Sequence, residues 1–190
     1  MLFRSVFMSV FRRVLFLALL ALFLQANANA QQTWTVSNVP ENPGNFNSIE
    51  QALADPRVVD GDLLYLVPST TSYGQVELDR PINLTGLPDA SGQGHQPVVD
   101  SLTLWTPDGP NLEISIERLR IHTIVIERDQ TILKSCILGS LHASNLDGLT
   151  VQQSWIDLHP GGLVSLENGT SCKFIGNFLT TSGSGTVISS

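Results

Sequence analysis

The sequence predicts an all-β protein: a β-solenoid, in which short strands stack in successive coils, with one short helix covering its N-terminal end. Three observations predict this fold class. Short apolar segments repeat loosely after residue 112, polar residues separate them, and only one helical pattern follows residue 30. Each repeat is too short to bury its own apolar face, so the repeats have to stack to form a core. A β-sandwich, which also consists of short strands, is the structural alternative.

The repeat is made of segments at 114–121, 131–138, 149–156 and 172–179, each with an apolar residue at its third position and another five residues later. The apolar residues at the third position are Ile116, Leu133, Val151 and Phe174. Those five residues later are Ile121, Leu138, Ile156 and Leu179. The unit recurs after about twenty residues, as in solenoid repeats. We therefore expect two inward columns of apolar side chains, with the polar stretches "ERLR", "KSC", "QQS" and "IGN" as the bends between strands.

The helical pattern lies in "SIEQALAD", residues 48–55. Its apolar face, at the spacing of one helix face, consists of Ile49, Ala52 and Leu53. Ser48 or Asn47 can cap its start, and Pro56 ends it. A helix of about two turns is not stable alone in water, so it has to cover something apolar. The sequence places this helix before the first strand, which is predicted over 63–67.

Residues 46–86 combine this helix with a Gly-Asp turn, a strand and the segment "QVELDRPINLTG". This order resembles the N-terminal capping unit of the pectate-lyase-like right-handed parallel β-helix family. The matching positions are Ile49, Ala52, Leu53, Gly61, Asp62, Val67, Pro68, Tyr73, Val76, Leu78, Pro81, Ile82, Leu84 and Gly86. The stretch "PSTTSYG" departs from the family pattern, as does Arg80, where lysine is common. The resemblance implies a right-handed parallel β-helix domain over 31–190, with a cap over about 31–97 and coils over about 98–190.

Residues 1–30 have the pattern of a signal peptide: arginines, an apolar run over 14–24, and the small-residue end "QANANA". The apolar run is shorter than the roughly 20 residues that cross a bilayer. An uncleaved N-terminal anchor is the alternative. The sequence therefore predicts a protein that is secreted or located at the cell surface, with no membrane span after cleavage.

The mature chain is acidic, because three of the ten basic residues lie in the signal peptide. Seven basic residues against 17 acidic ones leave a formal net charge of −10. Such a surface does not favour nucleic acid or anionic lipid. The acidic composition does not exclude a polysaccharide as the partner.

The outer face of the coils carries the candidate substrate-binding residues, because side chains alternate inward and outward along a strand. Glu117 and Lys134 are expected on adjacent coils, about 4.8 Å apart. They belong either to a polar stripe that holds an extended sugar chain, or to a surface ion pair worth less than about 1 kcal/mol. The full candidate set is Glu117, Lys134, Gln152, Lys173 and Trp155.

Aromatic residues can also stack on sugars. The candidates are Trp34, Trp105, Trp155 and Tyr73. Packing inside the protein is the alternative for each of them, because tryptophan is usually highly buried.

The sequence shows no catalytic constellation. Its acidic residues do not recur at equivalent positions of adjacent coils, and its histidines are scattered, so it predicts no metal site and no cofactor; calcium has no ligand cluster. Two functions follow. The first is a non-catalytic extracellular or cell-surface module that is glycan-binding or adhesive. The alternative, implied by the resemblance, is the N-terminal part of a polysaccharide lyase or glycoside hydrolase whose catalytic coils lie beyond residue 190.

Two further expectations come from the coil register. Cys136 and Cys172 are two coils apart, about 9.6 Å, whereas a disulfide needs Cα atoms within about 7 Å, so no disulfide is expected. The segment 186–188 opens a strand without a following cap. The sequence therefore predicts that the solenoid is incomplete at its C-terminus, so that either the natural chain continues or the open edge self-associates.

Overall fold

The computed structural model describes residues 31–89, 94–105, 112–158, 162–181 and 186–189. The predicted signal peptide lies outside the described residues. The chain divides into two units, Met1–Gln31 and Gln32–Ser190, and the second contains every element described below.

The described elements are one short helix and strands of three to eight residues. In chain order they are β1 (Thr33–Val36), α1 (Ile49–Ala54), β2 (Leu63–Leu66), β3 (Gln75–Leu78), β4 (Asn83–Gly86), β5 (Val98–Trp105), β6 (Ile114–Glu117), β7 (Arg120–Glu127), β8 (Thr131–Lys134), β9 (Ile137–Ser144), β10 (Thr150–Gln152), β11 (Trp155–Leu158), β12 (Leu163–Glu167), β13 (Lys173–Ile175), β14 (Phe178–Thr181) and β15 (Thr186–Ser189). No helix in this part of the chain has the length and apolar character of a membrane span.

The strands form two sheets, and their pairs are parallel. Sheet A has the order β1-β2-β4-β6-β8-β10-β13, and sheet B has the order β3-β5-β7-β9-β11-β14. Strand β12 lies off this path: it pairs with β9 and with β15. From β6 to β11 the chain alternates between the sheets, so that neighbours within a sheet are separated by one strand of the other. This all-β arrangement is compatible with the predicted β-helix. It differs from the β-sandwich alternative, whose sheets are antiparallel.

The two predicted apolar columns are confirmed by the strand register. In sheet A the partners follow the order Ile116, Leu133, Val151 and Phe174. In sheet B they follow the order Ile121, Leu138, Ile156 and Leu179. These side chains are buried as far as β11, because each of these strands has a further strand of its sheet beside it. In β13 and β14, the end strands of the two columns among the described residues, Phe174 is 42% exposed and Leu179 is 52% exposed.

The predicted corners are confirmed as bends with a residue in the left-handed backbone region. Arg118, Ser135 and Gln153 have φ angles of 53°, 54° and 51°. Each of these residues donates its backbone N–H to a carbonyl of the following coil, over 3.0, 3.1 and 2.9 Å. A side chain in this region costs roughly 1 kcal/mol or more, and the regular hydrogen bonds along the corner offset the cost.

The predicted short helix is confirmed. The Ser48 side chain accepts a hydrogen bond from the backbone N–H of Gln51 at 3.1 Å, and the helix ends at Ala54, ahead of Pro56. Ile49 and Ala52 are fully buried in the core. So short a helix is stable because its apolar face is buried in the hydrophobic core.

The expectation that this helix precedes the first strand is wrong. Strand β1 comes before it and pairs with β2. The outer edge of β1 is covered in turn: Thr35 donates its N–H to Asn45 Oδ1 at 2.8 Å, and Phe46 donates to the Thr35 carbonyl at 3.1 Å. Four residues directly after a signal-like segment carry too weak an alternation to predict a strand.

Candidate functional site

Three of the predicted substrate-binding residues lie side by side on the outer face of sheet A. Glu117, Lys134 and Gln152 are successive register partners on β6, β8 and β10, as their spacing predicts. Lys134 Nζ lies 4.0 Å from Glu117 Oε1, and Ser115 Oγ donates to the same carboxylate oxygen at 3.1 Å. We call Glu117, Lys134 and Gln152 the polar column.

Lys173 lies outside the polar column. Its register partner on β10 is Thr150, so it belongs to the neighbouring outward column of sheet A. The position that follows Gln152 in the polar column is Ile175, which is 53% exposed. The polar column is therefore three residues long, with an apolar side chain at its C-terminal end and Lys173 diagonally beside it.

Trp155 begins β11 in sheet B, on the far side of the corner that follows Gln152. The side chain is 49% exposed, whereas the next residue, Ile156, is buried. The indole Nε1 donates to Thr180 Oγ1 at 2.8 Å, and the Thr180 hydroxyl donates to Asp157 Oδ1 at 2.9 Å. This chain of hydrogen bonds fixes the orientation of the ring on the protein surface.

Phe178 is a surface residue that the sequence analysis missed. It is the register partner of Trp155 on β14, and its side chain is 73% exposed. The repeat contained the signal, because Phe178 precedes the inward Leu179 as Trp155 precedes the inward Ile156. Applying the same offset to the fourth repeat would have placed both rings in one outward column.

Two of the other aromatic candidates, Trp34 and Tyr73, have structural surroundings, whereas Trp105 is exposed. Trp34 donates its Nε1 proton to Asp62 Oδ2 at 2.9 Å and packs on Phe46, with ring centroids 5.6 Å apart. Tyr73 is buried, and its hydroxyl lies 2.8 Å from the Val67 carbonyl oxygen; burial raises the pKa of Tyr73. Trp105, at the end of β5, is 37% exposed and occupies a different outward column from Trp155.

The ionisable groups in the described part of the chain form no cluster of metal ligands. No group of three or more His, Cys, Asp or Glu side chains there could hold a metal ion. The hydrogen bond that Thr170 Oγ1 donates to Asp147 Oδ1 lowers the pKa of Asp147, and the Arg57 guanidinium lowers the pKa of Asp55 to about 2. Both shifts favour the ionised carboxylate, which is the opposite of what a general acid needs.

The two cysteines carry free thiols, as predicted. Cys136 is buried at the corner after β8, where its Sγ lies 3.4 Å from the Ile116 carbonyl oxygen, and burial raises the pKa of its thiol to about 11. Cys172 is partly buried beside the core. A buried thiol of raised pKa is a poor nucleophile, so Cys136 is a packing residue.

The described residues thus define an all-β protein of parallel strands in two sheets. The polar column lies on the outer face of sheet A, and a pair of exposed aromatic rings lies on the outer face of sheet B. Comparisons of the chain with protein-family models, with curated proteins and with solved structures found no match.

Proposed function

We propose that this chain is an exported right-handed parallel β-helix protein that acts as a non-catalytic, glycan-binding module outside the cell or at its surface. The parallel register of both sheets and the alternation of the chain between them support the β-helix. The resemblance of residues 46–86 to the capping unit of pectate-lyase-like proteins supports the handedness. The signal-like segment at 1–30 supports export.

The observation that carries the glycan proposal is the placement of two complementary surfaces on either side of one corner. The polar column offers an acceptor at Glu117, a donor at Lys134 and an amide that does both at Gln152, in strands about 4.8 Å apart. The two residues of the corner separate Gln152 from the exposed ring of Trp155. Sugars have hydroxyl groups at their edges and apolar C–H groups on their faces, so they need both kinds of surface.

The backbone under these side chains favours binding of an extended chain. Strands β6, β8 and β10 are held by neighbours on both sides, so the backbone that carries the polar column is ordered before a ligand arrives. Such preorganisation reduces the entropy that binding costs. No cofactor takes part in this proposal, and calcium is not required.

A glycan array with the mature protein tests the function. We expect retention of polysaccharide, equal in calcium and in a chelator, and weaker retention of the Glu117→Gln and Lys134→Gln variants. Glu77→Gln is the matched control, because Glu77 is also exposed on a strand but lies on β3 of sheet B.

Three results would contradict the proposal: no retention of any glycan, retention only in calcium, or equal losses in Glu77→Gln and in the variants of the polar column. Cleavage of a retained polysaccharide, with new reducing or unsaturated ends, would instead support the enzyme alternative.

A further inference from the structure

Trp155 and Phe178 form a two-ring surface, which we call the aromatic ledge. Their backbones are register partners on β11 and β14, about 4.8 Å apart, and both side chains point outward. This position distinguishes them from Phe174 and Leu179, which belong to the inward columns and are exposed because they lie in the last coil. A further coil would cover the inward pair, whereas the ledge residues lie on the lateral face of sheet B.

Hydrogen bonds hold the ledge in place. Thr180 accepts from the Trp155 indole and donates to Asp157, and the Asp157 and Thr180 backbones are themselves register partners. An exposed tryptophan otherwise samples several rotamers, and ordering such a side chain upon binding costs about 0.5–1.5 kcal/mol. The indole N–H lies at the edge of the ring, so its hydrogen bond to Thr180 does not occupy the flat face, which remains available to a ligand.

We propose that the aromatic ledge binds neutral hexopyranose residues, with their C–H faces stacked on the two rings and the sugar chain running across β11 and β14. This inference rests on the glycan-binding function proposed above, and it assigns a sugar class and a location to it. The aromatic faces supply apolar surface for burial.

The charges around the ledge select against acidic sugars. The Asp157 carboxylate lies two residues from Trp155 along β11 and would repel a uronate carboxylate, whereas it can accept a hydrogen bond from a hydroxyl group. The cation in the same outward column is Arg120, which is separated from Trp155 by Ile137 and therefore lies about 9.6 Å away along the sheet. A neutral sugar on the aromatic ledge can therefore donate a hydrogen bond to the Asp157 carboxylate without bringing a second negative charge close to it.

The small size of the ledge favours a sugar over a protein partner. A stable protein interface buries about 800 Å² on each side and involves about twenty residues or more. Two neighbouring rings correspond instead to the footprint of one or two sugar units, for which stacking and a few hydrogen bonds supply the affinity.

Titration with two soluble probes tests the inference: a neutral β-1,4-linked glucohexaose and an oligogalacturonate of similar length. We expect the wild type to bind the neutral probe more tightly. Trp155→Ala and Phe178→Ala should each weaken that binding by about tenfold, the equivalent of one lost aromatic contact. Trp105→Ala, which removes an exposed indole from another column, should leave the affinity unchanged.

Thr180 provides a separate test of positioning. Thr180→Val keeps the shape but removes the hydroxyl, and should weaken binding by about fivefold while reducing the near-ultraviolet circular dichroism of the freed indole. Thr180→Ser restores a hydroxyl and should recover both signals. An affinity that is equal in the wild type and in the Thr180→Val variant would show that the hydrogen bond does not position the ring for binding.

The outcomes separate this inference from the function on which it rests. If the wild type binds neither probe and retains no glycan on the array, the proposed function fails. If the wild type binds glycans but the Trp155→Ala and Phe178→Ala variants keep full affinity, the ledge is refuted and the function stands. Binding of the oligogalacturonate alone would overturn the sugar class. Should Trp155→Ala fail to fold, Phe178→Ala decides, because its side chain is the more exposed.

Discussion

The two ends of sheet A differ in how their inward column is covered. At the N-terminal end this column begins with Trp34, which packs on Phe46 and lies 5.4 Å below the guanidinium carbon of Arg57. At the C-terminal end the same column reaches Phe174, which is 42% exposed. Both residues are aromatic and both occupy terminal strands, so burial at these positions is set by what covers the coil and not by the type of side chain.

The strand edges show the same contrast. The edge of β1 donates to and accepts from residues Asn45 and Phe46, which satisfies its backbone as a neighbouring strand would. Among the described residues, β13 pairs with β10 alone and β14 with β11 alone. An edge strand without a cover offers unpaired N–H and C=O groups to another chain. The comparison therefore predicts that, in a protein made of residues 31–190, the edge formed by β13 and β14 associates more readily than the covered edge of β1.

The largest effect is expected from placing a charge under the N-terminal cap. Ala52→Asp puts a carboxylate at a fully buried position of α1, where desolvation without a partner costs about 3 kcal/mol or more. We expect urea unfolding to show that loss. Ala54→Asp is the matched control, since Ala54 is exposed on the same helix and its substitution should change the free energy of unfolding by less than about 1 kcal/mol. Equal losses would contradict the burial of this face of the helix.

An effect of similar size is expected from one substitution made at two positions of the same column. Leu138 is fully buried and Leu179 is 52% exposed. Leu138→Ala leaves a cavity and should cost about 2–5 kcal/mol, whereas Leu179→Ala should cost less than about 1 kcal/mol. Chemical denaturation of the two variants measures the difference. A similar cost at Leu179 would mean that this side chain is covered in solution.

The sequence predicted the parts of this fold that repeat. Alternation along each strand and a nearly constant unit length determine the register, because a shift of one residue would turn every apolar side chain outward. The column from Ile116 to Phe174, the corners and the cap of α1 follow from such local patterns. Strand β1 and its cover at Phe46 did not, because they depend on pairings between segments with weak signals of their own.

The candidate site was predicted in part for the same reason. The polar column follows from alternation, and so does the outward position of Trp155. The hydrogen bond from Trp155 to Thr180 joins residues 25 positions apart, and no short pattern marks it. Alternation also places Lys173 in the outward column that precedes the inward residues, and the register with Thr150 confirms that position.

A third prediction concerns association at the C-terminal end. We expect purified residues 31–190 to form oligomers at increasing concentration, and Ile175→Lys to raise the dissociation constant about tenfold or more, because a lysine on an edge strand opposes pairing. Sedimentation velocity measures the change. Thr150→Lys places the same charge on β10, which has neighbours on both sides, and should leave association unchanged. A monomer at every concentration would contradict the adhesive edge.

The smallest expected effect is a difference in reactivity between the two cysteine thiols, which leaves the free energy of unfolding unchanged. Cys136 lies in a covered coil, and burial holds the pKa of its thiol near 11, so at pH 8 only about a thousandth of it is the reactive thiolate. Cys172 precedes β13 in the last coil and is only partly buried. We therefore expect a thiol reagent at pH 8 to modify Cys172 in the folded protein and Cys136 only after denaturation, with two free thiols in total. A Cys172→Ser variant should then show no fast phase. A fast phase that persists in this variant would place Cys136 within reach of solvent and would contradict the burial of its corner.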